Sequence, residues 1–83
     1  MRKAQDQPVL RATAAEIKAR RGRLGISQEE LAHRADVHRS FIARLEVAQT
    51  QPSLSVLLRI AEGLESDPAD VVRSIAERAK RET

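Results

Sequence analysis

The 83-residue chain contains no cysteine. Disulfides and thiolate metal sites are excluded, and nothing requires an oxidising compartment. The two histidines, His33 and His38, stand five apart. That is a poor spacing for sharing a metal on one helix face, so neither a metal nor a cofactor is expected. Phe41 is the one aromatic residue. A core must therefore be built from Leu, Ile, Val and Ala, which suits small packed helices. No apolar run approaches the roughly 20 residues of a membrane span. The opening MRKAQDQPVL has basic residues but no apolar segment behind them, so it does not read as a signal peptide. A soluble, cytoplasmic protein is expected. Strand-like alternation, internal repeats and low-complexity segments are all missing. So are a nucleophile beside a base, a phosphate-cradling glycine loop and a metal cluster, and the adjacent Glu29 and Glu30 face different ways. An enzyme is not expected.

What is present is a globular composition, 41% hydrophobic and 33% charged, in a chain long enough for one small domain. The net charge of +3 is mild, but its distribution is uneven. Residues 1–26 carry seven basic and two acidic side chains, residues 27–50 three and four, and residues 51–83 five and six. The excess is N-terminal, around Arg2, Lys3, Arg11, Lys18, Arg20, Arg21 and Arg23. Such a patch is a usual footprint of polyanion binding, and its competing reading is a solvated helix face with a tail.

Punctuation and periodicity give five helices. Residues 1–9, polar and ending near Pro8, read as a flexible arm before a single domain over 10–83. A capping box, Thr13-x-x-Glu16, predicts a helix over 13–24 that Gly25 ends. Its inward stripe is Ala14, Ile17, Arg21 and Leu24, with one arginine among apolar residues. A second capping box, Ser27-x-x-Glu30, opens a helix over 28–35, with Leu31, Ala32 and Ala35 inward. Asp36 breaks it, and a third helix follows over 38–47. Two short helices joined by so tight a turn must cross steeply, as in a helix-turn-helix. A polar loop from Ala48 to Pro52 precedes a helix over 53–64. Asp67 and Pro68 then start the last helix, over 68–81.

The third helix divides into two faces. Ile42 and Leu45, with Phe41 beside them, lie on one side; Arg39, Ser40, Ala43 and Arg44 lie on the other, with no acid among them.

The stretch from Ile17 to Leu64 resembles the XRE/Cro-like helix-turn-helix family of transcription regulators. The resemblance rests on Ile17, Arg21, Gly25, the SQEELA run from Ser27 to Ala32, and Val37, Ser40, Ile42, Leu45 and Glu46. Pro52-Ser53-Leu54, Leu57, Ile60-Ala61 and Leu64 close it. Within the family, HRSFIARLE is most similar to the small controller proteins of restriction–modification systems. The chain departs from the family pattern at Asp36 and Ala48, where glycine is usual. Aspartate enters left-handed geometry at tolerable cost, whereas alanine there means a loop that is strained or that follows another path.

The resemblance implies an all-α, five-helix, lambda-repressor-like DNA-binding domain whose third helix lies in the DNA major groove. Its outer face must then carry donors. Arg39 can give two N–H groups to the O6 and N7 of a guanine, Ser40 and Arg44 can reach a base or a phosphate, and the Ala43 methyl can meet a thymine methyl. Gln28 and Ser27, at the start of helix two, are expected at a DNA phosphate, where the helix N-terminus favours an anion. Arg34 and His38 are further phosphate candidates. Arg20 and Arg23, with Arg11 and Lys18, are expected to add attraction that reads no sequence. Arg21 and Glu46 are implied to form a largely buried ion pair and so to be structural.

One recognition helix reads only a few base pairs, and the family usually binds palindromic operators as two-fold homodimers. Val56, Leu58, Ile60, Val71, Val72 and Ile75 look too many for one small core, so the last two helices are expected to form the subunit contact. The leading expectation is a sequence-specific double-stranded DNA-binding regulator of controller type, with no small-molecule ligand. Alternatives are a plasmid, prophage or toxin–antitoxin repressor, and a protein-interaction module that does not touch DNA.

Overall fold

A computed structural model describes residues 6–82. The described residues form five α-helices: α1 (Gln7–Leu24), α2 (Gln28–Ala35), α3 (Arg39–Glu46), α4 (Leu54–Gly63) and α5 (Pro68–Arg81).

The first helix begins six residues earlier than the Thr13 capping box predicts. Asp6 is the N-cap, its carboxylate accepting from the Val9 N–H at 3.2 Å, and Pro8 sits in the first turn, where its missing N–H costs nothing. Thr13 is inside the helix. Its hydroxyl donates to the Val9 carbonyl at 2.7 Å, a common outlet for a buried hydroxyl in a helix. The arm reading therefore fails for residues 7–9, and its first five residues lie outside those described. At the other end Gly25 takes φ 78°, and the N–H groups of Gly25 and Ile26 both reach the Arg21 carbonyl. This closes the helix in left-handed geometry.

The remaining starts follow the sequence signals. Ser27, Ser53 and Asp67 cap α2, α4 and α5, accepting from Glu30, Val56 and Ala69. The Ser27 capping box is one-sided, because the Glu30 carboxylate accepts from Arg34 instead. Asp36 ends α2 at φ 57°. Ala48, just after α3, is strained at φ 62°, and Glu65, after α4, sits at φ 57°.

Helix α1 packs on α5 and α3, α2 on α3 and α4, and α4 on α5. The core is aliphatic: Ile17, Leu31, Ile42, Leu45, Ile60 and Val71 are fully buried, and Phe41 packs at its edge. Gly63 marks the close approach of α4 to α2, since a Cβ there would lie 3.0 Å from the Arg34 Cβ. Ile60, Val71 and Ile75, expected at a subunit contact, are core residues of this chain. Val56 is half-buried against the same core. Leu58 and Val72 remain 45% exposed, joined by Leu54 at 69%. No helix among the described residues is long and apolar enough to cross a membrane.

Candidate nucleic-acid interface

Helix α3 is held from behind by an ionic network. Glu46, the last residue of α3, has a side chain only 2% exposed. Its carboxylate accepts from Arg21 Nε at 2.7 Å, Arg21 Nη2 at 3.0 Å and Gln28 Nε2 at 2.9 Å. Arg21 gives its remaining terminal nitrogen to the Ile26 carbonyl at 2.8 Å. One carboxylate thus joins the end of α1, the start of α2 and the end of α3. Burial pushes the Glu46 pKa up. The hydrogen bonds from Arg21 and Gln28, with the charges of Arg21 and Lys18, outweigh it and leave the carboxyl below its ordinary value. The hydrogen bonds that Arg21 donates to Glu46 raise the Arg21 pKa in turn. The ion pair implied by the family resemblance is present.

With Ile42, Leu45 and Glu46 buried, the opposite face of α3 is fixed outward. Arg39, Ser40 and Arg44 are exposed and Ala43 is half-buried between them. Neither arginine makes an ion pair or hydrogen bond among the described residues. This is the state a reading surface needs: donors held on a rigid element and not spent on the protein itself. His38, the N-cap of α3, is exposed and makes no side-chain cap bond.

Other expected phosphate contacts are redirected. Gln28 turns its amide inward to Glu46, leaving one of its two amide N–H groups for an outside partner. Ser27 is used as the α2 cap. Arg34 is not a free surface cation. It donates to Glu30 at 3.0 Å and to the Gly63 carbonyl at 2.9 Å, with Glu65 at 3.4 Å, and so ties α2 to the end of α4.

Arg20 is likewise spent. It pairs with Glu16, one turn back, and donates to Ser74 on α5 at 3.2 Å. Glu16, with a side chain 5% exposed, also accepts from Arg78 at 2.7 Å. Burial raises the Glu16 pKa, and the bonds and charges of Arg78 and Arg20 more than reverse it. Arg23 makes no ion pair or hydrogen bond among the described residues. Sequence reasoning missed this second hub. The i,i+4 spacing of Glu16 and Arg20 was visible, but Arg78 lies 62 residues away. It also missed Arg59, which donates to the Ala35 carbonyl at the end of α2 at 2.9 Å.

The profile described as helix-turn-helix matches residues 17–71, two-thirds of the chain. The chain belongs to the helix-turn-helix family. It is accordingly a DNA-binding transcription regulator with the lambda-repressor-like fold. Solved structures agree on the fold. The clp gene regulator ClgR from Corynebacterium glutamicum superposes with a TM-score of 0.82 at 23% identity, over 89% of this chain and 79% of that one. The restriction–modification controller protein C.AhdI from Aeromonas hydrophila gives 0.72 at 29% identity, over 75% and 94%. The controller protein C.Esp1396I, solved as a tetramer with its natural 35 base-pair operator, gives 0.77 at 24% identity, over 86% and 93%. A comparison with curated proteins finds no match.

Proposed function

We propose that this regulator reads a palindromic operator as a homodimer, each subunit laying α3 in the major groove. The observation that carries the reading is the pair of exposed arginines on α3, without partners among the described residues, above a core-facing side locked by Arg21, Glu46 and Gln28. Arg39 makes the bidentate guanine contact, Ser40 and Ala43 sit close to the base edges, and Arg44 reaches a base or the flanking phosphate. The second Gln28 N–H, the start of α2 and His38 meet the phosphate backbone. Arg34 and Arg20 drop out of that list, because both are committed to intramolecular carboxylates.

The subunit contact narrows to Leu54, Leu58 and Val72, the large apolar residues of α4 and α5 left exposed. A controller role in a restriction–modification system is favoured by the 29% identity to C.AhdI over most of its length. A regulator that reads an operator acts where the DNA is, in the cytoplasm. Selection of bound duplexes from a random pool tests the reading: a preferred palindrome supports it, and binding without preference over bulk DNA at moderate salt counts against it.

A further inference from the structure

A cleft of about 260 Å³ opens between the end of α1 and the α4–α5 corner, lined by Arg20, Arg23, Leu24, Leu64 and Ser66. Its charge is unbalanced. Glu16 is the acid nearest its wall in the bonding network, and both its oxygens are taken, one by Arg20 and one by Arg78. One negative charge is therefore shared between two guanidinium groups, and Arg23 adds a third without a partner among the described residues. Of the other acids near the corner, Glu65 pairs with Arg34, and Asp67 caps α5 through the Ala69 N–H while keeping its charge, so the three guanidinium groups of Arg20, Arg78 and Arg23 face the two carboxylates of Glu16 and Asp67. Arg20 spends Nε and Nη2, which leaves Nη1 available; Arg23 keeps its whole fork. Leu24 and Leu64 form apolar walls, and the Ser66 hydroxyl holds the Leu64 carbonyl by a bond of 3.3 Å that it can exchange for a better acceptor.

We infer that this cleft binds a small phosphate-bearing anion, held between the guanidinium groups of Arg20 and Arg23 with the Ser66 hydroxyl as a third donor. Guanidinium forks match phosphate oxygens in geometry as well as charge. A backbone phosphate of DNA shares this chemistry, but the cleft's location favours a free anion. Arg20 turns toward Ser74 on α5, while the next residue, Arg21, turns toward Glu46 at the end of α3, so the two arginines serve different sides of α1. The bound anion joins α1 to the corner before α5. It therefore stabilises the seat of the helix that carries Val72.

The test is a titration of the full chain with inorganic phosphate, followed by amide NMR. A sodium chloride series at matched ionic strength and a short duplex without a preferred site serve as separate arms. Phosphate is expected to shift the amides of Arg23, Leu24 and Ser66 saturably and to raise the melting temperature by mass action. Arg23→Ala, at an exposed position, is expected to weaken that response about tenfold or more while leaving the fold intact. Equal shifts with sodium chloride, an unchanged response in Arg23→Ala, or cleft shifts produced by the duplex and not by phosphate would each overturn the inference. The duplex arm is expected to move amides from Arg39 to Arg44, so DNA binding and anion binding fail or succeed independently.

Discussion

Arg21 Nε and Glu46 Oε2 stand 2.7 Å apart across the α1–α3 interface, with the carboxylate almost wholly buried. The pair ties the end of α3 to α1. Glu46 is the last residue of α3, and the same carboxylate holds Gln28 at the start of α2. Truncating one partner strands a charge in the interior. We predict that Arg21→Ala or Glu46→Ala destabilises the fold by about 3–5 kcal/mol, whereas replacing both with apolar residues costs much less. Urea unfolding of the two single variants and the double variant checks this. Single losses below about 1 kcal/mol would show that the pair is not structurally important.

Acid should unfold the protein through its two buried carboxylates. Glu16 and Glu46 both have folded pKa values below their ordinary 4.5. A group lowered by folding contributes stability that is full above its unfolded pKa and is lost as pH falls through the folded one. Stability is therefore expected to hold at neutral pH and to fall once the pH drops below about 4.5. Melting temperatures recorded down this range for the parent chain and for Glu16→Gln and Glu46→Gln test the assignment. Each variant should begin less stable and fall less steeply.

Three positions separate backbone strain from packing. Ala48 holds φ 62°, so Ala48→Gly should stabilise by about 1 kcal/mol by relieving the left-handed geometry. Gly22 lies in α1 with open space around it, and Gly22→Ala should also gain about 1 kcal/mol. Gly63→Ala should destabilise, because its methyl would meet the Arg34 Cβ at 3.0 Å and the Leu31 Cδ1 at 3.3 Å. Thermal unfolding of the three variants reads the signs directly.

Much of this architecture was legible in the sequence. Gly25, Ser27, Asp36, Ser53 and Asp67 mark helix ends because caps act locally. The two faces of α3 follow from helical periodicity alone. The start of α1 was misread because Thr13-x-x-Glu16 satisfies a local pattern that tertiary structure overrides: Asp6 caps earlier, and Glu16 is drawn to Arg78. The apolar residues of α4 and α5 were misassigned for a related reason. Ile60, Val71 and Ile75 fill the core of this chain, because five packed helices enclose more apolar interior than its short length suggests. Which cations are free could not be read from sequence, because the partners of Arg34 and Arg20 include Glu65 and Ser74, far along the chain.

The proposed subunit contact offers a clean discrimination. Leu58 and Val72 are 45% exposed, whereas Val71, beside Val72 in sequence, is fully buried. Leu58→Lys and Val72→Lys are expected to leave the helical signal intact and shift sedimentation toward the monomer. Val71→Lys is expected to unfold the chain, since a buried unpaired ammonium is too costly. Dimers that survive both exposed substitutions would move the interface elsewhere.

The central claim is that Arg39 reads a base from an outward helix face, and its most direct test is a discrimination ratio. Affinity for the selected duplex should be compared with that for the same duplex changed at the contacted guanine, in the parent chain and in Arg39→Ala. The parent is expected to discriminate by about 1–3 kcal/mol per half-site, and Arg39→Ala to lose this preference while still binding DNA through phosphate contacts. An Arg39→Ala variant that keeps the parent's full preference would contradict it.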